Sequence, residues 1–264
     1  MGLRLLSLIL AAAAAVPAVA VAQNPNPVPG DPSPYPQHSR TRPPPAVVTP
    51  GAYVGPMAPP SDAIVLFDGR SLANWRSADT TKGAAPWTVV SGAMVIKPGS
   101  GDIMTRRAFG DVQLHIEWST PTPPKGEDQE RGNSGVFLMR TYELQVLDSY
   151  HSVTFPDGQA ASIYGEYPPL VNASRAPGEW QTYDIIFHRP HFDASGKLTA
   201  PARETVLHNG VLVQDNTTII GPTTNGQRSA YSAHADKLPL ELQDHGFQVR
   251  YRNIWIRELS GEDH

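Results

Sequence analysis

The chain has 264 residues, a formal net charge of −4 and 17% charged residues. So thin and mildly acidic a charge offers no basic surface to nucleic acid or anionic lipid, and no nucleic-acid partner is expected. The absence of cysteine removes disulfides, thiolate metal sites and cysteine nucleophiles.

Met1 to Arg4 form a short basic start, Leu5 to Val16 an apolar run broken by Ser7 alone, and Ala20-Val21-Ala22 a small-residue cleavage site before Gln23. The run is shorter than the ~20 residues of a spanning helix. Residues 1–22 therefore read as a secretory signal, which implies a periplasmic or secreted protein without a membrane span. Residues 23–60 are proline-rich: 13 of the chain's 27 prolines lie between Asn24 and Pro60. Such a segment buries little apolar surface, and the expectation is a disordered tether.

From residue 61 to 264 short apolar runs alternate with Gly, Pro, Asn and Asp clusters. Val112, Leu114, Ile116 and Trp118 alternate with Gln113, His115 and Glu117, the period of a half-buried strand. Further strands are expected at Trp87–Ile96, Gly135–Arg140, Tyr142–Leu147, Trp180–His188, Arg203–Leu207, Val211–Gln214, Leu240–Gln243 and Phe247–Leu259. His208-Asn209-Gly210 reads as a tight hairpin turn. Many short strands without a sustained helical period predict an all-β sandwich or barrel.

Candidate chemistry concentrates in three segments. In Tyr142-Glu143-Leu144-Gln145-Val146-Leu147-Asp148, Glu143 and Gln145 share a strand face opposite Leu144 and Val146. A one-residue bulge would bring Asp148 to the same side, giving two carboxylates and an amide in one groove, a pattern that can split into acid and base. Arg131-Gly132-Asn133-Ser134-Gly135 can offer polar groups to ligand hydroxyls. Gln243 and His245 share a face if their strand continues, and His245 can move protons near neutral pH. Arg252 must pair with an acid or face a ligand. Glu117, on a polar strand face, and Tyr164, whose ring could stack on a sugar, complete the set. No cofactor is expected: there is no phosphate-cradling loop or zinc motif, although loop oxygens leave room for a divalent cation such as calcium. Nothing in the sequence speaks to oligomeric state.

Taken in order, Leu66-Phe67-Asp68-Gly69, Trp87, Asn133-Ser134-Gly135, Tyr142 to Asp148, Gly178-Glu179-Trp180-Gln181, Asn209-Gly210-Val211, Leu242 to Gly246 and Tyr251 to Trp255 resemble the 3-keto-disaccharide hydrolase domain family. The resemblance covers about Ile64 to Leu259. It implies a concanavalin-like jelly roll of two antiparallel sheets, the concave one forming a sugar groove, and an exported enzyme cleaving 3-keto-glycosides. Glu143-x-Gln145-x-x-Asp148 also echoes the E-x-D-x-x-E motif of laminarinase-type glucanases, an analogy at the level of fold. On this reading Glu143, Asp148 and His245 are catalytic. Gln145, Arg252, Arg131, Asn133, Glu117, Tyr164 and Gln243 bind substrate. A non-catalytic sugar-binding module and a conventional glucanase are the alternatives.

Overall fold

The computed structural model describes residues 33–259. The signal-peptide reading of residues 1–22 lies outside the described residues, as does the start of the proline-rich segment. Among the described residues the chain is β throughout, with two short 3-10 turns and no α-helix. No helix there is long and apolar enough to cross a membrane.

Two antiparallel sheets pack face to face. The larger has eight strands, with Val211–Thr218, Arg203–His208, Gln181–His188, Val112–Ser119 and Arg250–Glu258 side by side. The smaller has five, in the order Trp75–Ser77, Ile103–Phe109, Leu238–Leu242, Ser134–Leu138 and Tyr142–Val146. The alternation read from the sequence decides what lies between them. Leu114, Ile116 and Trp118 point inward from the larger sheet, while Val136, Leu144, Val146 and Leu242 point inward from the smaller, all buried in one core. Two tyrosines tie the layers together: Tyr251 Oη donates to Ser134 Oγ at 2.7 Å and Tyr183 Oη to the Gln145 carbonyl at 2.7 Å. This is the jelly-roll sandwich that the sequence predicts.

The turn at Asn209-Gly210 forms as expected, with φ of 53° and 78°, the positive values of a primed hairpin turn. The segment Trp87–Ile96, expected as one strand, is instead a hairpin of Thr88–Val90 and Ala93–Val95. Ser91 and Gly92 take φ of 50° and 78° and reverse the chain between them. An apolar run interrupted by Ser-Gly carries that turn within it.

The proline-rich segment differs from the tether expected of it, because from Ser33 onward it lies against the domain. Arg228 Nη1 donates to the Tyr35 carbonyl and Arg42 Nη1 to the Glu166 carbonyl, each at 3.1 Å. Ala46–Val47 pairs in parallel with Val171–Asn172. Aromatic and polar residues between the prolines find partners here, and proline itself lowers the entropy lost on ordering.

Tyr53, further along this strap, closes over a buried charged cluster on the outer face of the larger sheet. Glu117 and His115 are 0% and 1% exposed there. Asp184 Oδ1 meets His115 Nδ1 at 2.6 Å, and Glu117 Oε2 accepts from Arg252 Nε at 2.7 Å and Tyr53 Oη at 2.9 Å. Asn253 sits in a bulge at φ 45° and donates to Glu117 Oε1 at 2.9 Å. The Arg252 guanidinium also lies 3.8 Å over the Trp180 ring. Burial lowers the His115 pKa, but Asp184 and Glu117 outweigh it and raise the value to about 9. Burial likewise opposes ionisation of Glu117, yet the His115 ring 3.7 Å away and hydrogen bonds from Asn253, Arg252 and Tyr53 hold it down to about 2. Positive and negative groups thus alternate, and each charge has a partner.

Removing one member leaves the others uncompensated. Glu117→Ala is expected to cost about 3–5 kcal/mol in chemical denaturation, with Glu117→Gln costing less because it keeps the shape and part of the hydrogen bonding. A loss near zero for Glu117→Ala would show that the cluster does not hold the strap.

A candidate active site on the five-stranded sheet

The outer face of the smaller sheet is polar because its strands alternate. Arg76, Met104, Glu241, Phe137 and Glu143 stand in register across the five strands and all face away from the core. The neighbouring row places Gln145 opposite Gly135, whose carbonyl accepts from Gln243 N at 3.1 Å. Over these rows lies a cavity of about 300 Å3, walled by Asn133, Glu143, Gln145, Tyr164, Gln243 and His245, with Phe137, Thr223 and Asn225.

Glu143 is its chemical centre. The side chain is 6% exposed, and burial, helped by the negative charge of Asp102, raises its pKa to about 8. It is therefore mostly protonated at neutral pH, and once ionised it is a stronger base than an ordinary carboxylate. The carboxyl lies across Gly135. A Cβ on Gly135 would stand 2.3 Å from Glu143 Oε1 and 2.7 Å from Phe137 Cε2, so only glycine leaves that space. With the Gln145 amide turned as its partners require, its nitrogen donates to Glu143 Oε1 at 3.1 Å and to the Ser134 carbonyl at 3.0 Å.

The rest of the wall is arranged around that group. Asn133 Oδ1 and Gln243 Oε1 are buried without a hydrogen-bond partner among the described residues. Buried acceptors of this kind cost free energy unless a ligand meets them. The Tyr164 hydroxyl is pushed up to about 12 by burial and by Glu143. Toward Glu241, burial raises the carboxyls of Asp102 and Glu241, which share a hydrogen bond, and Arg140 Nε donates to Glu241 Oε2 at 2.5 Å. At the opposite wall Thr223 Oγ1 accepts from Glu143 N at 2.9 Å. The strap reaches this wall too: His38 Nε2 lies 3.2 Å from Asn225 Oδ1, and its ring is 5.1 Å from that of Tyr164.

Six of the ten residues expected from sequence meet here: Asn133, Glu143, Gln145, Tyr164, Gln243 and His245. Asp148 does not. The Tyr142–Val146 strand ends before it, and Asp148 instead ion-pairs with Arg131, Nε to Oδ2 at 2.7 Å, in the lining of an adjoining cavity. The bulge argument fails because Arg131 offers a stronger partner than the groove does. Glu117 and Arg252 lie on the other sheet, paired to each other. Phe137 and Glu241 were missed, although period two places them on the same face as Gly135 and Gln243. Thr223, Asn225 and His38 gave no local signal, since loops from distant parts of the chain bring them in. Among the described residues no group of three or more His, Asp and Glu is placed to hold a metal ion.

The fold and site define an antiparallel β-sandwich with a polar, carboxyl-centred cavity on one face. Residues 62–257 match the 3-keto-alpha-glucoside-1,2-lyase-like domain, and the chain belongs to that family. It is 24% identical over 248 residues to a 3-keto-disaccharide hydrolase of Bacteroides thetaiotaomicron, covering 75% of this chain and 78% of the relative. A crystal structure of a proposed glycosyl hydrolase from Parabacteroides distasonis superposes with a TM-score of 0.75 at 47% identity, covering 83% of this chain and 93% of the other. A second such structure from the same organism, at 18% identity and a TM-score of 0.53, shares the fold and covers 75% and 94% of the two chains.

Because the Glu143 carboxyl is raised, folding favours its proton, and stability falls as pH rises from about 4.5 to about 8. Glu204, raised to about 8 by its own burial, contributes in the same window. The difference between wild type and Glu143→Gln therefore isolates Glu143. Urea denaturation is expected to show the variant gaining on wild type between pH 5 and pH 8; a constant difference would mean that the carboxyl is solvated. His38→Ala is expected to speed amide exchange across residues 223–228, and unchanged exchange would show that His38 does not brace that wall.

Proposed function

We propose that this protein is an exported enzyme that cleaves the glycosidic bond of 3-keto-glycosides, with Glu143 as the proton-transferring group. The observation that carries the reading is one buried carboxyl with a raised pKa, set among unpaired polar acceptors on the groove face. Perturbed groups of this kind mark catalytic sites. Family membership supplies the substrate class, and the relative named a 3-keto-disaccharide hydrolase supports it. Export rests on the signal reading of residues 1–22.

A ketone at C3 acidifies the hydrogen at C2. Ionised Glu143 removes that proton, and the electron pair passes into the enolate. The bond from C1 to the leaving oxygen then breaks, giving an enone, and the oxygen takes a proton from His245. Water adds back at C1, so the net change is hydrolysis. The hydroxyl of Tyr164 is the donor in the cavity for the oxygen on C3, where charge develops. Arg252 has no part in this scheme because it lies on the other sheet. Asp148 is not assigned as the base, because it is ion-paired with Arg131 outside the groove.

Incubation with a 3-keto-disaccharide in heavy water tests the scheme. Deuterium is expected at C2 of the product, with no cleavage of the unoxidised parent. Glu143→Gln should lower kcat by roughly 10²- to 10⁴-fold, and Asp148→Asn by far less. The wild-type rate should rise with pH toward about 8, as Glu143 ionises. Full turnover by Glu143→Gln would overturn the assignment. Binding without consumption would mark a sugar-binding module instead.

A further inference from the structure

The strap meets the groove wall through His38, and that side chain is held from several sides. Just before it, Gln37 donates to the Thr224 carbonyl, and its amide fills the space over Gly165 that a Cβ would occupy. His38 itself has a φ of 61°, a left-handed conformation that residues with a side chain rarely adopt. Its backbone N donates to Asp157 Oδ2 at 3.0 Å, and its Nδ1 lies 3.6 Å from Asp157 Oδ1, a carboxylate 1% exposed. The imidazole packs on Phe155, with ring centroids 4.1 Å apart. Backbone held in a disfavoured region by surrounding contacts collects where geometry serves function.

Hydrogen count decides what the imidazole does there. Its Nε2 lies 3.2 Å from Asn225 Oδ1. An amide oxygen only accepts, so the ring donates from Nε2. The carbonyl end of Asn225 is thereby taken, and its Nδ2 makes no hydrogen bond among the described residues. Asn225 lines the groove cavity together with Tyr164, whose ring stands 5.1 Å from that of His38. Other donors around Glu143 are engaged. The Gln145 amide donates to Glu143 and Ser134, Asn133 Nδ2 to the Gln129 carbonyl, and Thr223 Oγ1 to the Thr141 carbonyl. The wall that His38 touches therefore offers the groove a hydroxyl and an amide N–H.

We propose that Asn225 is a catalytic residue and His38 its positioning residue: the imidazole orients the Asn225 amide so that its N–H joins the Tyr164 hydroxyl at the oxygen on C3 of a 3-keto-glycoside. The inference rests on the proposed function above. When the C2–H bond breaks, Glu143 takes the proton and the electron pair moves onto the C3 oxygen, where two donors rather than one stabilise the charge. His38 touches no substrate. It lies upstream of residues 62–257, so the family domain alone would lack it.

Steady-state turnover of a 3-keto-disaccharide by His38→Phe, His38→Gln, Asn225→Leu and the double variant of His38→Phe with Asn225→Leu tests the assignment. Phenylalanine keeps a ring against Phe155 and Tyr164 and loses the donor, whereas glutamine keeps an N–H. Asn225→Leu is expected to lower kcat roughly 10²-fold, the scale of one oxyanion donor. His38→Phe should lower it roughly tenfold, because the amide remains but is no longer oriented. KM should change less than about threefold in both, since the lost interaction strengthens only in the transition state. His38→Gln should recover most of the loss, and the double variant should be no slower than Asn225→Leu. Wild-type kcat in His38→Phe, a loss confined to KM, no recovery in His38→Gln, or losses that multiply in the double variant would overturn this role and leave the proposed function standing. A wild type that turns over no 3-keto-glycoside overturns the catalytic reading and this role with it. Nitrogen-15 NMR of the imidazole gives a readout apart from turnover: a proton is expected on His38 Nε2, and a proton on Nδ1 alone would overturn the pairing.

Discussion

The site depends on one carboxyl kept from water. Glu143 stays buried because Gly135 leaves room beneath it, Gln145 donates to it from the same strand, and Thr223 and Tyr164 close the walls above. Burial raises its proton affinity, and the nearby Asp102 raises it further. A lysine or arginine paired to Glu143 would reverse that effect, and no such pair is formed among the described residues. The uncompensated acid is thus the property the groove is built to preserve.

The opposite face of the molecule shows the contrasting solution. Glu117 is closed off from solvent as Glu143 is, at 0% against 6% exposure, yet its pKa falls to about 2. The difference lies in its partners, since Asn253, Arg252 and Tyr53 all donate to it and His115 pairs with it at 3.7 Å. A carboxylate matched in this way is chemically quiet and serves the fold. Burial alone does not distinguish a reactive acid from a structural one; the count and sign of its neighbours does.

The strap upstream of the family domain links these two faces. His38 braces Asn225 and Tyr164 beside the groove, and Tyr53 closes the charged cluster behind the larger sheet. Both residues precede the 62–257 span shared with the family. The groove wall of this protein is therefore completed by a segment that the family domain does not supply.

Period-two alternation determined a great deal by itself. It set which residues of each strand enter the core and placed Glu143, Gln145 and Gln243 on a common polar face, while the Asn209-Gly210 pair marked its turn. These are local consequences of backbone geometry, in which successive side chains point to opposite sides. Alternation does not say which sheet a strand joins. Glu117 and Arg252 were therefore expected to bind substrate beside Glu143 and proved to lie on the far side of the sandwich, paired to each other. Asp148 was misplaced for a related reason: its partner, Arg131, is seventeen residues away and meets it only where the strand ends. From Ser33 onward the tether expectation gave way likewise, since proline content describes a chain without neighbours. Charge pairing and the covering of one face by a distant segment are contacts across long sequence separations, and only the folded chain decides them.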